Sequence, residues 1–268
     1  MKKDPKTLCL KVCEVARETG RFIRDELPGI TSSDIEVKGL HSYVTHVDTN
    51  AEKRIVKALE ELLPEAGFIV EEESISKQGR EYKWVVDPLD GTTNYIHGLP
   101  CFSVSIALMQ ESEVILGVVY EIMQDECFYA WEGGGAFLNG KQIKVSGTDS
   151  LAESLLATGF PYHDYSLLEP YMELFIWCLH KTHGVRRIGS AAVDLSYVAC
   201  GRFEGFFEYG LNPWDVAAGS IIVREAGGKV TDFSAGKNFI FGSEIVAANN
   251  NNVYGELIKK VKEAFKKE

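Results

Sequence analysis

The stretch Trp84–Tyr95, WVVDPLDGTTNY, carries an apolar segment directly into two aspartates, Asp87 and Asp90. The two valines before Asp87 are typical of a buried strand. Pro88 fixes φ and removes a backbone donor, while Gly91 permits a turn that other residues resist. Burying two carboxylates close together is costly unless a cation lies between them. The stretch therefore indicates either a polar turn at the end of a strand or part of a metal site, and by itself it favours neither.

Short apolar segments rich in β-branched and aromatic residues lie on both sides of this stretch. They predict successive strands in GFIVE, KWVVD, FSVSIALM, EVILGVVY and ECFYAW, between residues 67 and 131. The QESE connection between the third and fourth segments is short enough for a hairpin, so we expect part of this sheet to be antiparallel.

Helical and strand patterns alternate through the rest of the chain. Helices are predicted to start near Asp4 and near Asp48, with Asp48 as a cap. Later strands are predicted in AESLLATGF, FEGFFEY and EIVAAN, and later helices in LLEPYMELFIWCLHK, SAAVDLSYVAC, WDVAAGSIIVREAGG and VYGELIKKVKEAFKK. This order predicts an α/β fold of alternating helix and mixed-sheet layers. No linker composition divides the chain, so residues 1–268 are expected to form a single domain, which could split into two halves near residues 145–185.

The composition narrows the classes of partner. The chain has 268 residues and a formal net charge of −11, from 28 basic and 39 acidic side chains. This balance disfavours a nucleic-acid partner, although a small anionic substrate is compatible with it if metal ions reverse the local field. No stretch approaches the run of about 18 apolar residues that spans a bilayer. Acids and an arginine interrupt the segment where a signal-peptide core would lie. We expect a cytoplasmic protein without a membrane partner, whose six scattered cysteines are reduced thiols.

The stretch around Asp87 offers only oxygen donors. The Asp87 and Asp90 carboxylates, the Leu89 carbonyl and the Thr92 hydroxyl lie within one bend. Hard cations such as Mg²⁺ prefer such oxygens, and the absence of histidine and cysteine from the bend disfavours zinc. Aspartate and glycine are also common in ordinary turns. The metal hypothesis therefore needs further acids from elsewhere in the chain.

Two other segments could supply them. FIVEEES at 68–74 places three glutamates directly after an apolar strand, where a charge run is more often a solvated loop. NPWDVAAGS at 212–220 places Asp215 at the start of an apolar helix, where it could be an ordinary cap. Acids at the ends of separate apolar elements together favour convergence on a metal cluster.

These segments carry a family resemblance. DPLDGTTN and WDVAAG resemble the two signature motifs of the inositol monophosphatase family, magnesium-dependent and lithium-sensitive phosphatases related to fructose-1,6-bisphosphatase. The similarity continues through THVD, EEES, GAFLNG, GSAAVDL and EAGG in the expected order, over roughly residues 6–262. The paired motifs at this separation are a strong signal. The resemblance implies the layered sandwich of that family, inhibition by lithium and a homodimer.

The resemblance also implies a metal centre. Its ligands would be Glu73, Asp87, the Leu89 carbonyl, Asp90 and Asp215, and they would hold about two or three Mg²⁺ ions. Glu73 is favoured because the EES of the family aligns with residues 72–74, and Glu72 is the alternative.

The catalytic roles implied by the resemblance fall on three side chains. Glu73 and Thr92 would orient a metal-activated water for in-line attack on phosphorus, and Asp48 would polarise the Thr92 hydroxyl. The backbone amides of Gly91 and Thr92, at a predicted helix start, would receive the phosphate oxygens.

The substrate contacts implied by the resemblance reach further along the chain. Glu208 lies seven residues before Asp215, where the family places a carboxylate that binds polyol hydroxyls; otherwise Glu208 is an exposed strand residue. The expected substrate is inositol monophosphate or a similar small polyol or sugar phosphate. The full expected set of substrate-binding residues is Asp90, Gly91, Thr92, Ser190, Ala191, Glu208 and Asp215.

The identity of the leaving alcohol stays open at this level. GFPYHDYS and HKTHGVRR depart from the family pattern, and Arg186, Arg187 or Lys38 could approach the substrate or simply be surface residues. Alternatives are the same hydrolysis of fructose 1,6-bisphosphate, histidinol phosphate or a 3′-phosphoadenosine nucleotide. The nucleotide branch usually has Lys-Glu where this chain has Thr93-Asn94. An alternative of another class is a non-catalytic protein that binds polyol phosphates, metals or a protein partner.

Overall fold

The first predicted helix runs from Pro5 to Glu26 (α1) in the computed structural model, which describes residues 4–29, 35–39, 42–161, 164–249 and 251–266. The side chains of residues 35–39, 42–44 and 251 lie outside that description. The Asp4 side chain caps α1 by accepting a 2.9 Å hydrogen bond from the backbone N–H of Thr7.

Further elements follow in chain order. The helices are α2 (His46–Leu62), α3 (Thr92–Ile96), α4 (Leu168–Lys181), α5 (Ala191–Ala199), α6 (Pro213–Glu225) and α7 (Asn251–Ala264). The strands of the first half are β1 (Ile35–Gly39), β2 (Ser42–Thr45), β3 (Gly67–Val70), β4 (Tyr82–Asp90), β5 (Ser103–Gln110), β6 (Glu113–Glu121), β7 (Glu126–Trp131), β8 (Gly135–Leu138) and β9 (Lys141–Ile143). Those of the second half are β10 (Leu155–Thr158), β11 (Gly184–Arg186), β12 (Gly205–Tyr209), β13 (Lys229–Thr231) and β14 (Glu244–Ala248).

Strands β3 to β9 form a mixed sheet in sequence order. β3 and β4 are parallel, with Val70 opposite Val86, and every later neighbour pair is antiparallel. The hairpin predicted at QESE joins β5 to β6, where Gln110 pairs with Glu113. The parallel β3–β4 pair matters for the site, because both strands end at the same edge of the sheet.

A second mixed sheet has the strand order β11-β10-β12-β14-β13. β10 is parallel to both β11 and β12, whereas β14 is antiparallel to β12 and β13. The three-residue strands β11 and β13 are too short to show a sequence period, which explains why the pattern does not predict them.

The sheets and helices form alternating layers. α1 and α2 pack on one face of the first sheet through a core that includes Trp84. α5 and α6 lie between the sheets, in a core that includes Val85 and Phe206. α4 and α7 cover the outer face of the second sheet, against Phe207. Successive residues thus enter opposite layers, as the period of a strand requires. The predicted layered α/β fold with mixed sheets is confirmed.

Two local predictions need adjustment. α2 begins at His46 with Thr45 as its cap, and Asp48 completes a capping box instead of being the cap itself. Within AESLLATGF the strand begins only at Leu155, because Leu151–Glu153 form a short 3₁₀ helix.

Among the described helices, none is both long enough and apolar enough to cross a bilayer.

Candidate active site

Asp87, Asp90 and Asp215 converge at the end of β4. One carboxylate oxygen from each aspartate lies within 4.8 Å of the other two. Asp87 and Asp90 come from the last residues of β4 and are 2% and 9% exposed. Asp215 comes from the first turn of α6, where its Oδ2 accepts a 2.7 Å hydrogen bond from the backbone N–H of Asn212. Asp215 therefore completes the capping box of α6, whose N-cap is Asn212, and also joins the acidic cluster.

Short hydrogen bonds orient the two aspartates of β4. Asp87 Oδ1 accepts from the backbone N–H of Leu89 at 2.9 Å. Asp90 Oδ2 accepts from Ser190 Oγ at 2.6 Å and from the backbone N–H of Ala192 at 2.8 Å. Asp90 thus stabilises the N-terminus of α5, where a negative charge is favourable, and ties that helix to β4.

The electrostatics of the cluster favour a bound cation. Burial raises the pKa of Asp87 well above its usual range, and the charges of Glu71, Asp90 and Asp215 raise it further. Burial also raises the pKa of Asp90, and raises that of Asp215 to about 8. A divalent cation among these oxygens would favour their ionised forms. The donor set is one that Mg²⁺ prefers, so the residues present fit such an ion.

The glutamate of the acidic run that reaches the cluster is Glu71, and the expectation for Glu73 needs correction. β3 ends at Val70 opposite Val86, so the next residues in parallel register are Glu71 and Asp87. Glu71 lines the cavity beside the aspartates, whereas Glu73 is exposed and has a φ of 53°. Alignment with the EES of the family predicts Glu73 as the ligand. Counting residues from the end of each apolar strand instead places Glu71 beside Asp87.

A buried glutamate of α2 fixes this loop. Glu52 is fully buried, and its carboxylate accepts hydrogen bonds from the backbone N–H groups of Glu72 at 2.7 Å and Ser74 at 2.8 Å. These two hydrogen bonds tie the loop after β3 to α2. Sequence reasoning missed Glu52, because a single acid on an amphipathic helix carries no signal of burial.

Thr92 and Asp48 are in contact, as expected from the sequence. Thr92 Oγ1 lies 3.1 Å from Asp48 Oδ1 and 3.0 Å from the carbonyl oxygen of Leu89. Asp48 is 1% exposed, and its other oxygen accepts from the backbone N–H and the hydroxyl of Thr45. The THVD motif therefore forms the capping box of α2 and positions a carboxylate against the Thr92 hydroxyl.

The turn after Asp90 requires glycine. Gly91 has a φ of 95° and is the N-cap of α3. A Cβ at Gly91 would lie 3.1 Å from the Cys101 carbonyl oxygen and 3.2 Å from that of Gly189. Asn94 binds the same two segments by donating 2.7 Å hydrogen bonds to the carbonyl oxygens of Cys101 and Ile188. The turn is thus held against the segment that leads into α5.

A cavity of about 180 Å³ opens beside the aspartates. Its wall includes all seven residues of the predicted substrate-binding set: Asp90, Gly91, Thr92, Ser190, Ala191, Glu208 and Asp215. Glu208 is 8% exposed, so it is not the exposed strand residue of the alternative interpretation. Its burial raises the pKa of its carboxyl group to about 8. The wall also contains Asp194 and Phe160, which were not among the predicted site residues.

The structure separates the two neighbouring arginines. Arg187 lines the cavity, with its guanidinium 5.8 Å from the ring centre of Phe160. Arg186 is exposed and is not part of the wall; its Nη1 donates to its neighbour, the carbonyl oxygen of Val185, at 3.2 Å. The side chain of Lys38 lies outside the described part of the chain.

The fold and the site together define a layered α/β protein with an acidic, oxygen-lined cavity at the edge of its larger sheet. A family model described as the inositol monophosphatase family matches residues 6–266. The chain therefore belongs to the inositol monophosphatase family, as the resemblance of its motifs indicated. Membership supports a phosphatase activity.

Individual relatives agree with this membership. The chain is 43% identical to a Nus factor SuhB of Pseudomonas aeruginosa, with 87% of this chain and 88% of the relative covered. It is 37% identical to an inositol-1-monophosphatase of Mesorhizobium japonicum, with 93% and 94% covered. A crystal structure of the extragenic suppressor protein suhB of Bartonella henselae superposes with a TM-score of 0.89 at 37% identity, with 96% and 99% covered.

Proposed function

We propose that this protein hydrolyses a phosphate monoester in a Mg²⁺-dependent reaction, with inositol monophosphate or a similar polyol phosphate as substrate. The observation that carries the proposal is that one carboxylate oxygen each of Asp87, Asp90 and Asp215 lies within 4.8 Å of the others, beside a cavity whose wall contains Asp90 and Asp215. The name of the relative from Mesorhizobium japonicum, inositol-1-monophosphatase, supports the choice of substrate.

The metal ligands follow from the acids at the edge of the first sheet. Glu71, Asp87, Asp90 and Asp215 would hold Mg²⁺, and the Leu89 carbonyl is a further candidate. Bound Mg²⁺ would supply Lewis-acid activation of water and stabilise charge that develops on the phosphoryl group and the leaving oxygen. Phosphate-monoester hydrolysis is among the slowest uncatalysed reactions, so a large electrostatic contribution is needed.

The chain itself would orient the reactants. The Thr92 hydroxyl can donate a hydrogen bond to Asp48 Oδ1. A lone pair of the Thr92 oxygen would then accept a hydrogen bond from the attacking water. Backbone N–H groups of Gly91 and Thr92 would receive phosphate oxygens. Ser190, Ala191 and Glu208 would contact the alcohol part of the substrate.

Phosphate release from inositol 1-phosphate, with Mg²⁺ and with EDTA, tests the proposal. We expect turnover that depends on Mg²⁺, is inhibited by lithium and is abolished in Asp87→Asn. Asp25→Asn is a matched control, because Asp25 is an exposed aspartate of α1 outside the cavity wall. Failure to release phosphate from any monoester of a broad panel would reject the proposal and favour a non-catalytic binding protein.

We also propose that two copies of this chain form a homodimer through α4. Leu168, Met172, Ile176 and Leu179 recur every three to four residues on one side of α4 and are 37–51% exposed. Exposed apolar stripes of this kind mark association surfaces. Ile176→Glu is expected to convert a dimer into a monomer in analytical ultracentrifugation, whereas Glu173→Gln, an exposed change on the same helix, should not. A wild-type monomer at micromolar concentration would contradict the proposal.

A second candidate function comes from the name Nus factor SuhB, which the 43%-identical relative carries. The chain could serve as a Nus factor independently of hydrolysis. Replacement of the Escherichia coli Nus factor SuhB, 41% identical, by this chain and by its Asp87→Asn variant would test this. Equal replacement by both would support the candidate, and failure of both would reject it.

The location of the protein is proposed from its cysteines. All six are free thiols, and four of them, Cys9, Cys13, Cys127 and Cys178, are buried. Free buried thiols are typical of reducing compartments, which supports a cytoplasmic location.

A further inference from the structure

Asp194 is a buried acid in the cavity wall that the proposed reaction does not use. It lies in the first turn of α5, one helical turn after Ser190, and is 1% exposed. Asp194 lines the same cavity as Asp90, Glu208 and Arg187. Burial raises the pKa of Asp194 well above its usual range, the charges of Glu208 and Asp90 raise it further, and Arg187 lowers it.

One oxygen of the Asp194 carboxyl group is not satisfied by the described part of the chain. Its Oδ1 is buried and has no hydrogen-bond partner among the described residues. A buried carboxyl oxygen without a partner costs free energy of folding, and natural proteins retain such groups mainly where a ligand or water completes them. The oxygen therefore points to a donor that arrives with the substrate.

The charges of the wall limit what that donor can belong to. Glu71, Asp90 and Asp215 belong to the proposed metal centre. The other charged residues of the described wall are Asp194, Glu208 and Arg187, which amount to two carboxyl groups and one guanidinium. Such a surface favours an alcohol rich in hydrogen-bond donors over one that carries a second anion.

We propose that Asp194 determines specificity for the leaving alcohol. Its carboxyl group accepts a hydrogen bond from a hydroxyl or ammonium group of the alcohol, and it disfavours alcohols that carry a second phosphate or a carboxylate. This role rests on the proposed phosphatase function and deepens it, since it concerns the alcohol half of the same cavity. It also weighs against fructose 1,6-bisphosphate as the substrate.

The test compares substrates that differ in donors and charge. Values of kcat/KM are measured for inositol 1-phosphate, histidinol phosphate, cyclohexyl phosphate and fructose 1,6-bisphosphate with the wild type, Asp194→Ala, Asp194→Asn and the control Asp25→Asn. We expect the wild type to prefer a donor-bearing alcohol over cyclohexyl phosphate, and Asp194→Ala to reduce that preference by about tenfold or more. A larger fall in kcat/KM for inositol 1-phosphate in Asp194→Ala would identify a hydroxyl as the donor, and a larger fall for histidinol phosphate would identify an ammonium group.

Two further readouts separate this role from a structural one. Asp194→Asn keeps the shape but removes the charge, so the kcat/KM of fructose 1,6-bisphosphate relative to inositol 1-phosphate should rise. Its Tm should equal or exceed that of the wild type, because an unmatched desolvation cost is relieved. If the role of Asp194 were structural, the substitution would instead lower the Tm and leave both substrate ratios unchanged.

The outcomes are distinguishable. An active wild type that cleaves cyclohexyl phosphate as well as inositol 1-phosphate would overturn the role of Asp194 without any variant. Unchanged ratios in folded Asp194→Ala and Asp194→Asn would also overturn it while the phosphatase function stands. A wild type that releases no phosphate from any of the four esters would reject the phosphatase function itself.

Discussion

Glu71 and Asp87 lie side by side because β3 and β4 are parallel and the last residue of β3 pairs with the residue before Asp87. Val70 is opposite Val86, and each of these valines is followed directly by an acid. Burial raises the pKa of Asp87 well above its usual range, and the charge of the neighbouring Glu71 raises it further. Two chain segments separated by a long loop thus deliver carboxylates to one point at the edge of the sheet.

This relationship predicts unequal effects in the acidic run. Glu71→Gln should lower kcat by at least about 100-fold at limiting Mg²⁺, because one ligand of the proposed centre loses its charge. Glu73→Gln should change kcat by less than about twofold, because Glu73 is exposed and outside the cavity wall. Steady-state kinetics across a Mg²⁺ titration would show this. The reverse order of the two effects would return the ligand role to Glu73.

The contact between Thr92 and Asp48 predicts non-additive kinetics. Thr92→Val removes the hydroxyl that lies 3.1 Å from Asp48 Oδ1, and Asp48→Asn removes its charged acceptor. Each change is expected to lower kcat by about 10²-fold, the range of general acid–base assistance. The double variant should lose little more than either single variant, as for residues that act as a unit. Additive losses in this double-mutant cycle would show that the two side chains act separately.

Gly159 predicts a steric effect on the alcohol half of the cavity. A Cβ at this position would lie 1.8 Å from Oε1 of Glu208. Gly159→Ala should therefore displace the Glu208 carboxylate, reduce kcat/KM for inositol 1-phosphate and lower the free energy of unfolding by about 1–3 kcal/mol. Gly133→Ala is a comparison for loss of glycine, because nothing lies near a Cβ there, although its positive φ adds strain. Normal kinetics in Gly159→Ala would show that the position of Glu208 does not matter.

The acidic cluster predicts an unusual dependence of stability on pH without metal. Burial and then the charge of Asp90 raise the pKa of Asp215 to about 8, from a value near 4 in an unfolded chain. The folded state then binds more protons than the unfolded state between these two values. The free energy of unfolding in EDTA should consequently fall as the pH rises from about 4 to 8.

Calorimetric Tm measurements across this range check the prediction. Asp215→Asn should flatten the slope, and saturating Mg²⁺ should raise the Tm most at the high end of the range, because the metal binds the ionised carboxylates. A metal-free Tm that rises steadily from pH 5 to pH 8 would contradict the raised pKa.

Much of the fold follows from local patterns. The strands from β3 to β7 are apolar segments bounded by turns, and α1 has both a capping aspartate and an amphipathic period, so each element is encoded where it forms. Short elements such as β11 and β13 are different. They form because a neighbouring strand supplies hydrogen-bond partners, and no local period of apolar residues predicts them.

The sequence by itself determined which oxygen donors are available, at Asp87, Asp90 and Asp215, the glycine turn after Asp90, and membership in a family through motifs in a fixed order. Only the tertiary structure decided which acid of a run reaches the cluster, that Glu52 holds the adjoining loop, that Arg187 and not Arg186 lines the cavity, and that Asp194 is buried in its wall. The physical reason is the distance along the chain over which each kind of interaction acts. Residue type and spacing fix local conformation, whereas strand register and the packing of distant helices fix which side chains meet.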